Sequence, residues 1–568
     1  MLKGIGASDG IGIGRALVIK EQKISYKKRL ISDTDAELKR LKKAIDDFVA
    51  KTNVLADKIS VSAGEKEAEI LKSQVLIIQD PSMTDEIKKH IKSGECAESA
   101  VENVCDMFID ILSEVDDELT RQRTTDIRDL KNGLLKVLLG VESIDIGLVP
   151  PNTIICAEDL TPSMTAGMDK KNVVGIITET GGITSHSAIL ARALEIPAVL
   201  SVGNAVNLIK NGDNVIIDGA NGEVSLNPSE DKQNEYVRKK EKYLKEKSEL
   251  QKYIGHITKT ADDIKVELVC NIGSTGETDS VIECDGEGIG LFRTEFLFMD
   301  RKQTPTEEEQ FEVYKTVAVK MNGKPVIIRT LDVGGDKNIP YLELPKEENP
   351  FLGFRAVRYC LENRELYSAQ LRALLRASAF GNIKIMIPMI TCVEEIRKVK
   401  SLIHELEVGL DSENIAYNKN IPIGIMIETP SAAVEADLLA KEADFFSIGT
   451  NDLIQYTMAV DRGNSKVSYL YSAFNPSVLR LIKYVISCAK AENIMTGMCG
   501  EAAADKLLIP LLISFGLDEF SVGTGSVLST RKEISMWTKK SADMIAEQVM
   551  KLSTANEVVE YLKAVLYK

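Results

Sequence analysis

The sequence predicts a multidomain α/β protein, in which an α/β domain carrying an inserted helical bundle is followed by a C-terminal (β/α)8 TIM-type barrel. Three observations predict it. The 568 residues exceed the size at which a single hydrophobic core stops growing, which implies two to four domains. A long, charged, proline-poor helical periodicity from about Asp33 to Leu139 interrupts a pattern of short strand-like runs. Beyond about Lys259, eight apolar runs alternate with helical patterns, the rhythm of a parallel barrel of eight strands.

Residues 1 to about 20 read as short strands with glycine turns, and from about Pro150 similar runs resume: Thr153 to Cys156, Val173 to Ile177 and Asn214 to Ile217. Residues 1–22 plus 144–230 therefore form one α/β domain around a helical insert, residues 23–143. Residues 231–258 begin as a highly charged, glycine-free run of good helix formers, which predicts an exposed linker helix. Residues 259–568 supply the barrel, with strands over Val266 to Asn271, Gly288 to Arg293, Val326 to Thr330, Ile383 to Met389, Ile423 to Glu428, Phe445 to Gly449, Ile494 to Met498 and Phe520 to Gly523.

Composition narrows the function. Hydrophobic content of 44 % with 27 % charged residues is ordinary for a globular chain, and no stretch reaches the length of a membrane span. The glycine-rich start, with its early Asp9, is unlike a signal peptide, so a soluble cytoplasmic protein is expected. Nine cysteines without any Cys-x-x-Cys pair argue against a disulfide framework and a zinc site. The net charge of -15 disfavours nucleic acid or anionic membrane as partner, so an anionic ligand must be met by a local arginine cluster.

Such a cluster sits at the predicted strand ends, where a barrel builds its active site: Arg293 and Glu295, Arg329 with Asp332 and Lys337, Glu428, Asn451 and Asp452, then Cys499 and Glu501. Charge there is unfavourable unless paired or used. Of four histidines, His90, His256 and His404 lie in polar stretches that read as surface. His186 follows Gly181-Gly182-Ile183-Thr184-Ser185, where a strand ends and Thr184 or Ser185 caps an apolar-faced helix. In a first helical turn the macrodipole disfavours imidazolium, and free N–H groups can receive a phosphate; a merely capping histidine fits the same local chemistry.

Gly181 through Arg192 resembles the phosphohistidine signature of phosphoenolpyruvate-utilising enzymes, and Asp444 through Arg462 resembles their second, barrel signature. Gly290 to Phe296, Arg329 to Lys337 and Asn349 to Arg358 add further matches, and the closest resemblance is to the Enzyme I family of the bacterial sugar phosphotransferase system. The resemblance implies a swivelling phosphohistidine domain, a helical subdomain that binds the carrier protein HPr, and a phosphoenolpyruvate-binding barrel that also dimerises. It implies a phosphotransferase that moves phosphate from phosphoenolpyruvate to His186 and on to HPr, for sugar uptake. Arg293, Arg329 and Arg462 suit the substrate oxygens because planar guanidinium forks meet them bidentately, with Lys337, Arg355, Asn451 and Asp452 as further binders. Glu428 and Asp452 suit Mg2+, and the family assigns Cys499 as the acid or base at the enol carbon. A pyruvate phosphate dikinase or phosphoenolpyruvate synthase would need a nucleotide-binding domain, for which no glycine-rich phosphate loop is visible. A non-catalytic relative would have lost some of these residues.

One further pattern is unusual. Between Glu95 and Thr120 there are nine acids and no Lys or Arg, and Glu98, Glu102, Asp106, Asp110 and Glu114 recur every four residues. Like charges at that spacing are mutually unfavourable on a helix, so the stripe is either a solvated face or a steering surface for a basic carrier.

Overall fold

The computed structural model describes all residues except 20–25, 63–64, 114–117, 142–148, 161–163, 165–167, 169–170, 183–184, 195, 300, 302, 336–338, 343, 463, 465 and 567–568. The chain divides into two compact units, Met1–Lys247 and Ser248–Lys568.

In the first unit, eight strands form one sheet. Strands β1 (Leu2–Lys3), β2 (Ile5–Ser8) and β3 (Ile11–Ile19) join β4 (Thr153–Ala157), β5 (Val173–Thr178), β6 (Ala198–Leu200), β7 (Asn214–Asp218) and β8 (Glu223–Leu226), in the order β1-β8-β7-β3-β4-β5-β6-β2. β3 runs parallel to β4, a pairing that needs a long crossover. That crossover contains the helical bundle: α1 (Thr34–Ser62), α2 (Glu65–Gln79), α3 (Pro81–Lys92), α4 (Ala97–Ser113) and α5 (Glu118–Leu139). The bundle has its own core, including Leu41, Ile87, Val101 and Leu130. The sheet is buried on both faces, so Ile154 and Ile155 enter different cores and β4 reads as a continuous apolar run.

The acidic stripe on α4 is not uniformly solvated. Glu98 is buried, with Oε1 2.5 Å from Arg40 Nη2 of α1. Glu102 accepts from the Tyr26 hydroxyl at 2.5 Å, and Asp106 lies 2.6 Å from Lys131 of α5. Counter-charges absent from α4 itself arrive from other elements and relieve the repulsion; Asp110 remains exposed, and Glu114 lies outside the described residues.

Helix α6 (His186–Ala193) follows β5, and α7 (Glu230–Leu250) carries the charged linker, with Tyr236 its one buried side chain among the described residues. A short 3-10 turn, Gln251–Tyr253, leads on into the second unit.

There β9 (Glu267–Ile272), β10 (Ile289–Arg293), β11 (Val326–Arg329), β12 (Ile383–Ile387), β13 (Ile423–Ile427), β14 (Phe445–Ile448), β15 (Met495–Met498) and β16 (Glu519–Val522) close into an all-parallel barrel. Alternate residues face opposite ways: Ile328 and Ile385 join the core beneath the surrounding helices, while Leu291, Ile327, Met386, Met426, Phe445 and Cys499 form a second cluster in the interior. Every strand presents its C-terminal end to one rim. No described helix is long and apolar enough to cross a membrane.

Candidate active site

The rim gathers the charges at the ends of four strands. Arg293 and Arg329 are the last residues of β10 and β11, paired in register. Arg329 is 6 % exposed; its Nη2 donates to Glu295 Oε1 at 2.6 Å and its Nη1 lies 3.2 Å from Asp332 Oδ2. Asp332 then bridges to a second guanidinium, accepting from Arg355 Nη2 at 2.9 Å. Arg355 also donates through Nη1 to the Tyr456 hydroxyl at 3.1 Å, and its Nη2 is 3.8 Å from Asp452 Oδ2. Burial opposes the charge on both arginines. The carboxylates of Glu295 and Asp332 around Arg329, and of Asp332 and Asp452 around Arg355, outweigh it and raise both.

Glu428 follows β13 and is buried; its Oε1 accepts from the Met389 N–H at 2.6 Å. Burial, reinforced by the charges of Asp452 and Asp332, pushes its carboxyl up to about 8. Gly449 leaves room for it, since a Cβ there would stand 2.7 Å from Glu428 Oε2. Asp452 lies in the first turn of α8 (Thr450–Met458), and its Oδ1 is buried without a hydrogen-bond partner among the described residues. The Nε atoms of Arg293, Arg329 and Arg355 are buried and unpartnered in the same way. Cys499 follows β15 inside the barrel, with its Sγ 3.8 Å from the Ile448 carbonyl, and burial pushes its thiol up to about 11.

Most of the sequence-predicted barrel residues therefore converge. Arg293, Arg329, Arg355, Glu428 and Asp452 share the rim, with Asn451 beside Asp452 on α8 and its carbonyl accepting from Tyr471 at 3.3 Å. Arg462 lies just beyond α8, where its N–H donates to Gln455 Oε1 at 3.2 Å. Lys337 lies outside the described residues, and Glu501 and His186 are described through the backbone.

Asp332, already in the predicted strand-end cluster, proves to be the bridge between two arginines. Two contributors, Tyr456 and Gln370, escaped sequence reasoning. Tyr456 steadies Arg355 and also donates to the Phe351 carbonyl. Gln370, on the helix Arg364–Ala377, accepts from the Leu331 N–H at 2.9 Å and donates to Thr294 Oγ1 at 3.2 Å, while Thr294 donates to the Arg329 carbonyl at 2.8 Å. That buried network ties the ends of β10 and β11 together.

In the first unit, His186 is the first residue of α6. Ser185 caps the helix, its Oγ accepting from the Ala188 N–H at 3.3 Å. Gly181 supplies the positive φ of 100° that turns the chain, and its carbonyl accepts from Ser201 Oγ at 2.6 Å. Ser187 is buried and donates to Asp159 Oδ1 at 2.9 Å, which docks the helix start. The glycines and the cap place His186 at a helix N-terminus, as the sequence predicts.

A helix-start histidine in one α/β unit and an arginine-carboxylate rim on a parallel barrel in the other match a single class of protein. Residues 3–123 match the family model described as PEP-utilising enzyme, N-terminal; residues 149–222 match the mobile domain, and residues 247–538 the PEP-binding domain. The chain belongs to the PEP-utilising enzyme family. It is 45 % identical over 567 residues to the phosphoenolpyruvate-protein phosphotransferase of Priestia megaterium, covering 100 % of this chain and 99 % of that one. It is 46 % identical over 563 residues to the enzyme of that name from Listeria innocua, covering 99 % and 98 %, and 46 % identical over 567 residues to that of Bacillus subtilis, covering 99 % of each.

Proposed function

We propose that this chain is a cytoplasmic phosphoenolpyruvate-protein phosphotransferase. It moves the phosphoryl group of phosphoenolpyruvate to His186 and then to a histidine of the carrier HPr, which feeds sugar uptake. The observation that carries this reading is the set of three arginines, Arg293, Arg329 and Arg355, whose buried Nε–H groups have no acceptor among the described residues, at the mouth of a parallel barrel. Such donors suit a small ligand with several anionic oxygens. Arg293, Arg329 and Arg355 would hold the phosphoryl and carboxylate oxygens, aided by Arg462, Lys337 and Asn451.

The Glu428 and Asp452 carboxyls fit Mg2+: Asp452 Oδ1 is buried and unpartnered, and Gly449 keeps the space beside Glu428 Oε2 open. Bound there, the ion would supply positive charge that offsets the anionic substrate.

An imidazole nitrogen lone pair of His186 attacks phosphorus as the bond from phosphorus to the enol oxygen breaks, and the bonding electrons pass to the enolate. Arg329 and Arg355 stabilise that charge without reorganising, because Glu295 and Asp332 already fix them. The enolate then takes a proton at its methylene carbon and becomes pyruvate. Cys499, held protonated by its buried setting, is the donor, a role carried over from the family. The helical subdomain 23–143 would receive HPr, and the barrel would pair two copies of the chain.

The test is incubation with labelled phosphoenolpyruvate and Mg2+. Acid-labile, base-stable label should appear on the protein, pass to HPr but not to AMP, and be absent from His186→Ala. Full labelling of His186→Ala, or transfer to AMP, would overturn the assignment.

A further inference from the structure

Two cysteines that take no part in this chemistry stand side by side on the barrel. Cys270 and Cys284 are separated by 14 positions, and their sulfurs are 3.8 Å apart. Cys270 is the fourth residue of β9, buried in the core beneath the surrounding helices. Cys284 ends the helix Glu277–Glu283 and is partly exposed. Gly286 lets the following turn lie directly on the buried thiol, since a Cβ there would stand 2.8 Å from Cys270 Sγ. Closing the gap to a covalent bond takes a movement of about 1.8 Å, within reach of a turn at a helix end.

We propose that Cys270 and Cys284 are a redox-modification site, forming a reversible intrachain disulfide when the protein meets a peroxide. Cys284 is the accessible partner, and the hydrogen bond it shares with Cys270 lowers its thiol against the opposing effect of burial, helped by the nearby Arg531 guanidinium. Its thiolate attacks one peroxide oxygen. The O–O bond breaks, a S–O bond forms, and the released hydroxide leaves as water. The Cys270 sulfur then attacks the sulfenic sulfur; the S–S bond forms as the S–O bond breaks, and a second water carries off the oxygen. Two electrons have passed from the thiols to the peroxide.

The position gives the modification something to act on. Asp285 Oδ2 accepts from the Gly255 N–H at 2.7 Å and from Arg531 Nη1 at 2.7 Å. Arg531 Nη1 also donates to the Tyr253 carbonyl at 2.9 Å, and Glu287 Oε1 accepts from the Thr258 N–H at 2.9 Å. The turn after Cys284 is thus the anchor for residues 253–258, which lead from the end of α7 towards β9. Drawing Cys284 onto Cys270 pulls on that anchor.

The experiment treats the full-length protein with limiting hydrogen peroxide, blocks remaining thiols with a maleimide, and maps non-reduced peptides by mass spectrometry. The expected result is loss of two of the nine thiols. A linked Cys270–Cys284 peptide pair should appear about 2 Da below the sum of the reduced peptides. Dithiothreitol should reverse it, Cys284→Ser should not show it, and amide exchange at residues 253–258 should differ between the two forms. Sulfinic acid at Cys284 with Cys270 still alkylated, or prior oxidation of the other seven cysteines, would overturn the proposal, as would a disulfide that leaves exchange at 253–258 unchanged.

Discussion

Glu519, the first residue of β16, is the most consequential buried charge outside the rim. It is fully buried, neither carboxyl oxygen has a hydrogen-bond partner among the described residues, and Gly497 clears space for it, as a Cβ there would lie 2.5 Å from Oε1. Burial, opposed by Lys384 and reinforced by Glu267 and Asp518, raises its carboxyl from 4.5 to about 8. Below pH 4.5 the folded and unfolded chains both hold the proton, and the site carries no penalty. Between there and about 8 the unfolded chain releases it while the folded chain keeps it, so stability falls as pH rises, by about 1.4 kcal/mol per unit and about 5 kcal/mol in all. Glu519→Gln keeps the shape and removes the titration. Differential scanning calorimetry of the full chain at pH 5.5 and 7.5 should show this site contributing a loss of about 3 kcal/mol to the barrel transition, near 4 °C for a unit of this size. The Gln variant should lack that contribution and be the more stable protein at pH 7.5 by about 4 kcal/mol. Equal pH slopes in the two proteins, or a less stable Gln variant at pH 7.5, would refute the reasoning and point to a carboxylate paired with Lys384.

Asp452→Ala should lower autophosphorylation by more than about 100-fold with the barrel still folded, and Arg329→Ala should weaken both binding and turnover. Full activity of Asp452→Ala in excess chelator would remove the metal from the account. On α4, Glu98→Ala removes one of two carboxylate partners of Arg40, which keeps Glu37 and the Leu138 carbonyl, and should destabilise the bundle by about 1 to 3 kcal/mol in thermal melts. Asp110→Lys should leave stability within about 0.5 kcal/mol and slow HPr association at low salt, whereas an unchanged rate would leave Asp110 a solvated residue. A fragment of residues 1–247 should exchange phosphate with phospho-HPr yet take none from phosphoenolpyruvate; uptake of label without the barrel would refute the need for one histidine to visit two sites.

The barrel was legible because parallel strands buried on both faces are written as continuous apolar runs, and all eight strand positions agree to within a residue or two at each end. The start of α6 was equally legible, since a positive-φ glycine and a serine cap are local instructions. Glu519 was not: a charged residue at a strand's start reads as a solvated end, and only closure of the barrel turns it inward. The expected ends of the helical insert, near Gln22 and Ile144, lie outside the described residues. The acidic stripe misleads for a related reason, because helical spacing reports the repulsion along α4 but not Arg40 or Lys131, which arrive from other helices. Cys270 and Cys284 lack any motif spacing and meet through the turn of one β/α unit.

What the sequence could least foretell is how firmly the rim is held. Met389, whose N–H meets Glu428, has a φ of 59°, and Ala356, which follows Arg355, has φ 50° and ψ -127°. Side chains avoid such conformations, at a cost of about 1–3 kcal/mol each, unless the surroundings overdetermine them. Both residues are almost wholly buried, and the Ala356 N–H is secured to the Val333 carbonyl at 2.9 Å. The two strained residues therefore adjoin the two groups whose placement matters most, a buried carboxyl and a buried guanidinium. Gln370 does the same by hydrogen bonds for the ends of β10 and β11. Phosphoryl transfer leaves a protein little covalent work beyond alignment and charge stabilisation, so a rim fixed before the substrate arrives is where backbone strain has its use.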